Sequence, residues 1–137
     1  MSKNDNIESQ KAFGAAVNGR KLDELDALVS PTSVDNDPAP GQVAGPDGYK
    51  AMFAELQAAF PDMHIEVDHL VADDSNVAFA YTLTGTHDGT FMGHAATGKA
   101  FSVTGLQISR FEDGLLVERW GSSDQLGIMQ QLGLLPA

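Results

Sequence analysis

The sequence predicts an α+β fold in which N-terminal helices pack on a strongly curved, mostly antiparallel sheet. Apolar residues recur at helical spacing between positions 7 and 60, whereas alternating patterns typical of strands dominate from 63 to 122. The dipeptide Asp113-Gly114 adds a strong signal for a tight hairpin. Separate runs of helices and antiparallel strands are typical of α+β folds. A curved sheet covered by helices is expected to enclose an apolar pocket.

The helical region begins near the N-terminus and is interrupted twice. Residues 7–29 fit one or two amphipathic helices with a break near Asn18-Gly19, and Pro31 ends this region. Residues 34–41 contain two prolines and several Asp and Asn residues, so they predict a turn-rich loop. The remaining elements are a helix over 46–60, strands over 63–72, 77–85, 101–111 and 115–122, and a closing helix over 124–132 that Gly133 and Pro136 terminate.

Length and composition indicate one globular domain spanning residues 1–137. The chain is 42% hydrophobic and 20% charged, which is typical of a folded protein, and it contains no internal repeat. A single domain of this size is long enough to bury a core.

The charge balance and the lack of cysteine exclude several classes of function. Eight basic residues against 19 acidic ones give a net charge of −11, so nucleic acid and anionic membranes are not expected partners. Without cysteine the chain has no disulfide, no zinc–thiolate site and no thiol nucleophile. No stretch resembles a signal peptide or a membrane-spanning segment, so a cytoplasmic location is expected.

The strongest candidate for acid–base chemistry is Asp124. Counting outward from the Asp113-Gly114 turn, antiparallel pairing predicts that Gln107 lies opposite Trp120. One face of the hairpin would then carry Gln107, Trp120 and Asp124, which combines an aromatic wall for an apolar substrate with a carboxylate that transfers protons. The alternative is that Asp124 only caps the last helix. The spacing leaves both interpretations open.

His87 is the second catalytic candidate. It follows the strand that carries Phe79 and Tyr81 with the same parity, so it is expected to point into the same cavity and to act as a proton shuttle or hydrogen-bond donor. The alternative is a histidine that braces a loop by bonding a backbone carbonyl. The four histidines have no paired ligand spacing, so we expect no metal site. No glycine-rich phosphate-binding motif is present, so a nucleotide cofactor is not expected either.

Three further residues are candidates for substrate contact. Asn36 is expected at the pocket mouth together with its neighbours Asp35 and Asp37, although Asp and Asn residues before proline are commonly turn formers. Phe53 and Phe60 lie on the apolar stripe of a predicted helix, where they either line the cavity or belong to the core.

A set of short motifs in this order resembles the SnoaL-like polyketide cyclases and ester cyclases of the nuclear-transport-factor-2-like superfamily. Most of the chain is covered by the likeness. The motifs are Asp35-Asn36-Asp37-Pro38, Gly45-Pro46-Asp47-Gly48, Ala59-Phe60-Pro61-Asp62, residues 85–93, Phe111-Glu112-Asp113-Gly114 and residues 131–136.

This resemblance implies an NTF2-like cone or barrel with a cofactor-free pocket, assembled as a homodimer or higher oligomer. It also implies an intramolecular aldol cyclisation of an apolar carbonyl compound, with Asp124 as base and then acid. His87 or Gln107 would hold the developing oxyanion. The exposed positions expected for Leu106 and Ile108 on the outer side of the sheet independently suggest a sheet-to-sheet dimer.

Other functions occur on the same fold. A non-catalytic binding protein would use Asp124 only as a cap, and an interaction domain would fill the cavity with side chains. An isomerase or dehydratase would need a second donor, for which Tyr81 is available. An epoxide hydrolase would need Arg110 or Arg119 near Asp124, and the simple hairpin count puts both arginines on the opposite face.

Overall fold

A computed structural model describes residues 2–135 of the chain. The predicted helix stop at Pro136 lies outside these residues. In chain order the elements are α1 (Lys3–Asn18), a 3-10 helix (Leu22–Ala27), β1 (Val29–Asp35), α2 (Pro46–Ala59), β2 (His64–Ala72), β3 (Asn76–Thr86), β4 (Ala100–Glu112), β5 (Leu115–Ser123) and α3 (Gln125–Gln131).

The strands form one open, mixed sheet. Its order is β1-β5-β4-β3-β2, with β1 parallel to β5 and the other neighbours antiparallel. The predicted order of helices followed only by strands is wrong at β1, because Val34 and Asp35 are strand residues rather than loop residues. Pro31 is tolerated within β1 because an edge strand leaves one side of its backbone unpaired.

Local sequence signals explain where the helices begin and end. Ser2 caps α1 and forms a reciprocal capping box with Asp5, and the helix ends at Gly19 as the sequence predicts. Gly45 precedes α2 with a φ of 80°, and Pro46 occupies the first helical turn, where its missing N–H costs nothing.

The sheet has two faces with different environments. The inner face, covered by the helices, carries Val77, Phe79, Tyr81 and Leu83 of β3, all of them buried. The outer face carries the intervening residues. The largest exposed apolar side chains of its central strands are Leu106, Ile108 and Trp120.

The β4–β5 hairpin forms at the predicted turn but departs from the predicted register. Asp113 and Gly114 both have positive φ values, 51° and 81°, as a two-residue hairpin turn of the favoured type requires. Beyond the turn the pairing shifts by one residue between Arg110 and Phe111. The prediction that Gln107 pairs with Trp120 is therefore wrong. Gln107 pairs with Gly121, and Trp120 pairs with Ile108.

No helix within residues 2–135 is long and apolar enough to cross a membrane.

Leu116 tests the core on the inner face of β5. It is fully buried, so Leu116→Ala is expected to lower the free energy of unfolding by about 2–5 kcal/mol through lost burial and a residual cavity. The exposed Leu126 on α3 is a matched control, and Leu126→Ala is expected to change stability by less than about 0.5 kcal/mol. Urea denaturation of both variants measures the difference, and equal losses would contradict this assignment of the core.

Candidate functional site

The shifted register turns Arg119 toward the inner face. Arg119 pairs with Ser109 of β4 on one side and with Asp35 of β1 on the other. The prediction that Arg119 faces away from the interior is therefore wrong, because a one-residue slip moves every following side chain to the opposite face. Arg110 does lie on the outer face, where it pairs with Glu112 and Glu118.

Asp35 and Arg119 form a buried ion pair. Arg119 Nη1 donates to Asp35 Oδ1 and Oδ2 at 3.0 and 3.2 Å, and the two side chains are 11% and 3% exposed for Arg119 and Asp35, respectively. Asp35 also accepts from Gln42 Nε2 at 3.1 Å and from the backbone N–H of Asp37 at 3.0 Å. These donors satisfy a carboxylate that burial would otherwise destabilise.

Gln107 extends the network across the inner face of the sheet. Its Oε1 accepts from Arg119 Nε at 2.9 Å, and its Nε2 donates to Ser109 Oγ at 3.0 Å. Arg119 reaches Gln107 because Gly121, the residue opposite Gln107, has no side chain. A methyl group on Gly121 would lie 2.6 Å from Arg119 Nη2 and 2.9 Å from its Cζ.

Burial distinguishes Asp35 from the other acidic residues. Within residues 2–135 every Asp and Glu is exposed except Asp35 and Glu118. The Glu118 side chain is 28% exposed and lies on the outer face, whereas that of Asp35 is 3% exposed. Asp35 is therefore the carboxylate that the fold brings to its interior.

Tyr49 of α2 lies close to the ion pair. Burial, and secondly the negative charge of Asp35, raises the pKa of the Tyr49 phenol to about 12, although the nearby Ser33 and Arg119 side chains oppose the shift. The Tyr49 and Ser33 hydroxyls are buried without a hydrogen-bond partner in the described chain. Tyr49 is thus a neutral phenol over the whole physiological pH range.

Apolar and aromatic side chains surround this polar cluster. Phe79, Tyr81 and Gln107 keep 5–8% of their surface accessible, whereas Val77 and Ser109 at the end of the same strands keep none. Phe79 pairs with Gln107 across β3 and β4, so an aromatic side chain lies beside the Gln107–Arg119 hydrogen bond on the inner face. Two surface clefts, one at residues 20–24 and one bordered by Asp124, lie elsewhere, so the apolar pocket stays a prediction.

Asp124 lies outside this cluster. It is exposed and caps α3, accepting a hydrogen bond from the Gly127 N–H at 2.8 Å. It borders an open cleft of about 470 Å3 whose other lining residues are Ala80, Thr104, Gly105, Leu106, Ser122 and Ser123. The capping interpretation is confirmed, and the catalytic role of Asp124 stays a prediction.

His87 is buried and braces the loop that follows β3. Thr97 N–H donates to its Nδ1 at 3.2 Å, and the Thr97 hydroxyl lies 3.0 Å from the same atom. The ring packs edge-on against Phe60 and Phe91. His87 therefore braces this loop, but through the Thr97 backbone N–H rather than through the backbone carbonyl that was expected, and its position in a pocket stays a prediction. Its Nε2 has no partner within the described residues, so the helper role in catalysis stays a prediction.

Two predicted substrate contacts do not lie on the inner face. Trp120 is 38% exposed beside Ile108 on the outer face, because the register shift reverses its direction. Asn36 is exposed and donates to Glu118 Oε2 at 3.1 Å and to the Arg119 carbonyl at 3.0 Å. The register prediction for Trp120 is wrong, and the substrate contacts of Trp120 and Asn36 stay predictions.

The remaining predicted contacts do face the interior. Phe79 packs against Tyr81, and the Tyr81 hydroxyl bonds Ser123 Oγ at 2.5 Å. Phe53 packs against Phe13, while Phe60 packs against Phe91 and Phe101 as part of the core.

Sequence reasoning did not predict the ion pair of Asp35 and Arg119. Both depend on long-range pairing, since Asp35 lies on a parallel edge strand and Arg119 follows a bulge. The neighbouring glycine at position 121 was the available signal, because a glycine inside a strand commonly marks a bulge or a close approach. No group of three potential metal-ligating side chains occurs within residues 2–135.

Comparison with known proteins finds a consistent set of relatives. A family model described as SnoaL-like polyketide cyclase matches residues 7–132. Aklanonic acid methyl ester cyclase DnrD of Streptomyces peucetius is 27% identical over 133 residues, which cover 93% of this chain and 90% of that protein. The structure of TsrD from Streptomyces laurentii is 27% identical in sequence and superposes with a TM-score of 0.89. The alignment covers 98% of this chain and 99% of the TsrD chain. IdmH from Streptomyces antibioticus is 32% identical with a TM-score of 0.82, over 93% and 98% of the two chains.

Gly121→Ala tests the placement of the Arg119 guanidinium. The added methyl group is expected to push the guanidinium off Gln107 and to lower the free energy of unfolding by about 1–3 kcal/mol, the range for a buried polar group that loses its partner. Gly14→Ala is the control, because its methyl group meets nothing within 4 Å and alanine favours a helix. An unchanged stability for Gly121→Ala in urea denaturation would contradict the placement.

Tyr49→Phe tests the buried phenol through the pH dependence of stability. The pKa of Tyr49 is raised from 10.0 in the unfolded chain to about 12 in the fold, so its contribution is complete below pH 10 and declines as the pH rises toward 12. We expect the wild type to lose more stability than Tyr49→Phe between pH 10 and 12. At pH 7 Tyr49→Phe should be at least as stable as the wild type, because it removes a buried hydroxyl that has no hydrogen-bond partner in the described chain. Parallel pH profiles would refute a buried phenol.

Proposed function

Because the chain belongs to the SnoaL-like polyketide cyclase family, we propose that it is a cofactor-free enzyme that activates an apolar carbonyl compound by proton transfer. The reaction is an intramolecular aldol-type cyclisation. The observation that carries this proposal is the buried Asp35–Arg119–Gln107 cluster beside aromatic side chains. Charged and amide groups held in apolar surroundings are what carbonyl activation requires.

Asp35 is the proposed proton acceptor. It removes a proton from the carbon next to the substrate carbonyl, and the resulting enolate attacks a second carbonyl of the same molecule. The protonated Asp35 then returns the proton to the new alkoxide, so the enzyme ends as it began. Its burial supports this role, because proton transfer inside the fold is shielded from water.

Asp124 is the second candidate for the base. Its support is the open cleft of about 470 Å3 that it borders and the base role that the family resemblance implies for it.

The substrate class we propose follows from the relatives and the inner face together. DnrD is a cyclase of aklanonic acid methyl ester, and we infer a polyketide or a related β-keto ester as substrate here. Phe53 and Phe79 would contact its apolar body. The competing functions are a non-catalytic ligand-binding protein and an isomerase or dehydratase. For the latter Tyr81 would be the donor, although Ser123 already binds its hydroxyl.

Hydrogen–deuterium exchange at the activated carbon of β-keto esters and anthraquinone-like polyketides in D2O tests the reaction. We expect the wild type to catalyse exchange and Asp35→Asn to lose at least about 100-fold of that rate, the typical contribution of general base catalysis. Asp124→Asn should keep the rate within about threefold. NMR measures exchange, and circular dichroism with ligand titration checks that both variants fold and bind.

The alternatives give different results in this assay. Loss of exchange in Asp124→Asn but not in Asp35→Asn would transfer the base role to Asp124. If the wild type binds these compounds but catalyses exchange on none of them, proton transfer on these substrates is rejected and a binding protein is favoured.

The outer face supports a homodimer, which we propose as the functional assembly. Leu106 is 66% exposed and Ile108 is 44% exposed, and Trp120 lies directly opposite Ile108. Adjacent apolar side chains on one sheet face are unusual for a monomer and typical of a surface that another copy covers.

Ile108→Asp tests this dimer. The buried charge is expected to weaken association at least about 100-fold, so that sedimentation at micromolar concentration shows a dimer for the wild type and a monomer for the variant. Val43→Asp is the control on an exposed loop position. A monomeric wild type would contradict the proposal.

A further inference from the structure

We propose that Asn18 is a site of spontaneous modification, at which deamidation converts the asparagine to aspartate and isoaspartate. The reaction is intramolecular and consumes only water. The hydrogen bonds of the Asn18 side chain delay the reaction and are lost when it occurs. This inference is independent of the proposed cyclisation, because Asn18 lies at the end of α1 and holds that helix to an edge strand of the sheet.

The Asn18 carboxamide fastens the end of α1 to β2. Its Nδ2 donates to the Ile65 carbonyl at 2.9 Å, and its Oδ1 accepts from the Ile65 N–H at 3.0 Å. A hydrogen-bonded residue of a neighbouring strand would form the same pair of bonds. Because β2 is an edge strand, the carboxamide covers backbone groups that an edge otherwise leaves unpaired.

Arg20 fastens the same turn from the other side of Gly19. Its backbone has a φ of 59°, and its Nη2 donates to the carbonyls of Pro61 and Met63 at 2.6 and 2.8 Å. Its Nη1 donates to the Asn18 carbonyl at 2.8 Å. Two of these bonds reach the segment between α2 and β2, so the turn leaves the sheet only when they break.

The Asn18-Gly19 bond has the sequence that favours deamidation, because no Cβ shields the glycine nitrogen. The Gly19 nitrogen loses its proton to a base, and its electron pair forms a bond with Asn18 Cγ. The Cγ–Nδ2 bond breaks, and Nδ2 takes a proton from solvent and leaves as ammonia. Water then opens the resulting cyclic imide. Opening at Cγ gives aspartate, and opening at the Asn18 backbone carbonyl gives isoaspartate.

The folded turn opposes this attack. The Gly19 N–H donates to the Ala15 carbonyl at 2.8 Å, and both polar atoms of the Asn18 carboxamide are bonded to Ile65. The nitrogen and the carboxamide are therefore free to react only after the end of α1 has opened locally. Aspartate lacks the Nδ2 donor, and isoaspartate adds a carbon to the backbone. Neither product can rebuild the pair of bonds to Ile65.

Conversion at Asn18 is expected to loosen α1. This helix buries Phe13 and Val17 in the core, so its attachment to the sheet contributes to the stability of the fold. The purified isoaspartate form should unfold at a lower urea concentration than the intact protein. Its Ile65 amide should exchange with solvent at least about tenfold faster.

Mass spectrometry of tryptic digests measures the conversion, because the peptide 12–20 contains the Asn18-Gly19 bond. We expect the folded wild type to convert about 10- to 1,000-fold more slowly than the chain unfolded in urea. Arg20→Met removes the two bonds to the segment before β2, and the folded variant should convert at least about threefold faster than the wild type. Lys21→Met, at the exposed neighbouring position, is the matched control and should convert as the wild type does.

Two further measurements keep the test decisive if Arg20→Met does not fold. The conversion rate of the wild type should rise in urea concentrations below the unfolding transition, since urea favours local opening. Asn76, which precedes Val77, is an internal control in the same digests and should stay intact. Equal rates in the folded and unfolded chains, no conversion of the folded wild type, a rate independent of urea or equal conversion at Asn76 would each overturn the proposal.

Discussion

The register shift in the β4–β5 hairpin is the constraint on which the interior depends. Between Arg110 and Phe111 the pairing slips by one residue, so each later residue of β5 points to the face opposite to that set by the turn. Arg119 enters the interior and Trp120 leaves it. Without the slip an indole would face Gln107, and Arg119 would lie in solvent on the outer face. The chemical character of the interior therefore follows from one extra residue in one strand.

The ion pair that results explains the role of β1. An arginine turned inward needs a partner, because an unpaired buried charge is far more costly than a paired one. The parallel edge strand provides Asp35 directly beside Arg119, and Gln42 with the Asp37 N–H completes the hydrogen bonding of its carboxylate. An edge strand that contains Pro31 forms fewer backbone hydrogen bonds than a central strand. Its position is explained by the carboxylate that it holds against β5.

Local signals predicted most of the fold, and long-range pairing accounts for what they missed. The Asp113-Gly114 turn, the break at Asn18-Gly19 and the alternating pattern of β3 each depend on a few neighbouring residues and were predicted correctly. The strand nature of Val34 and Asp35 depends on a partner more than 80 positions away, and a bulge leaves no composition signature of its own. The predicted place of Asp124 on the same face as Gln107 has the same weakness, because it comes from a hairpin count that holds only near the turn.

The coupling between Asp35 and Arg119 tests the account most directly. A double-mutant cycle of Asp35→Asn and Arg119→Met, followed by urea denaturation, gives their interaction free energy. We expect a coupling of at least about 1 kcal/mol, with each single variant destabilised and the double variant less destabilised than their sum. Additive effects within about 0.3 kcal/mol would mean that the two side chains do not meet, and would contradict both the register and the site built on it.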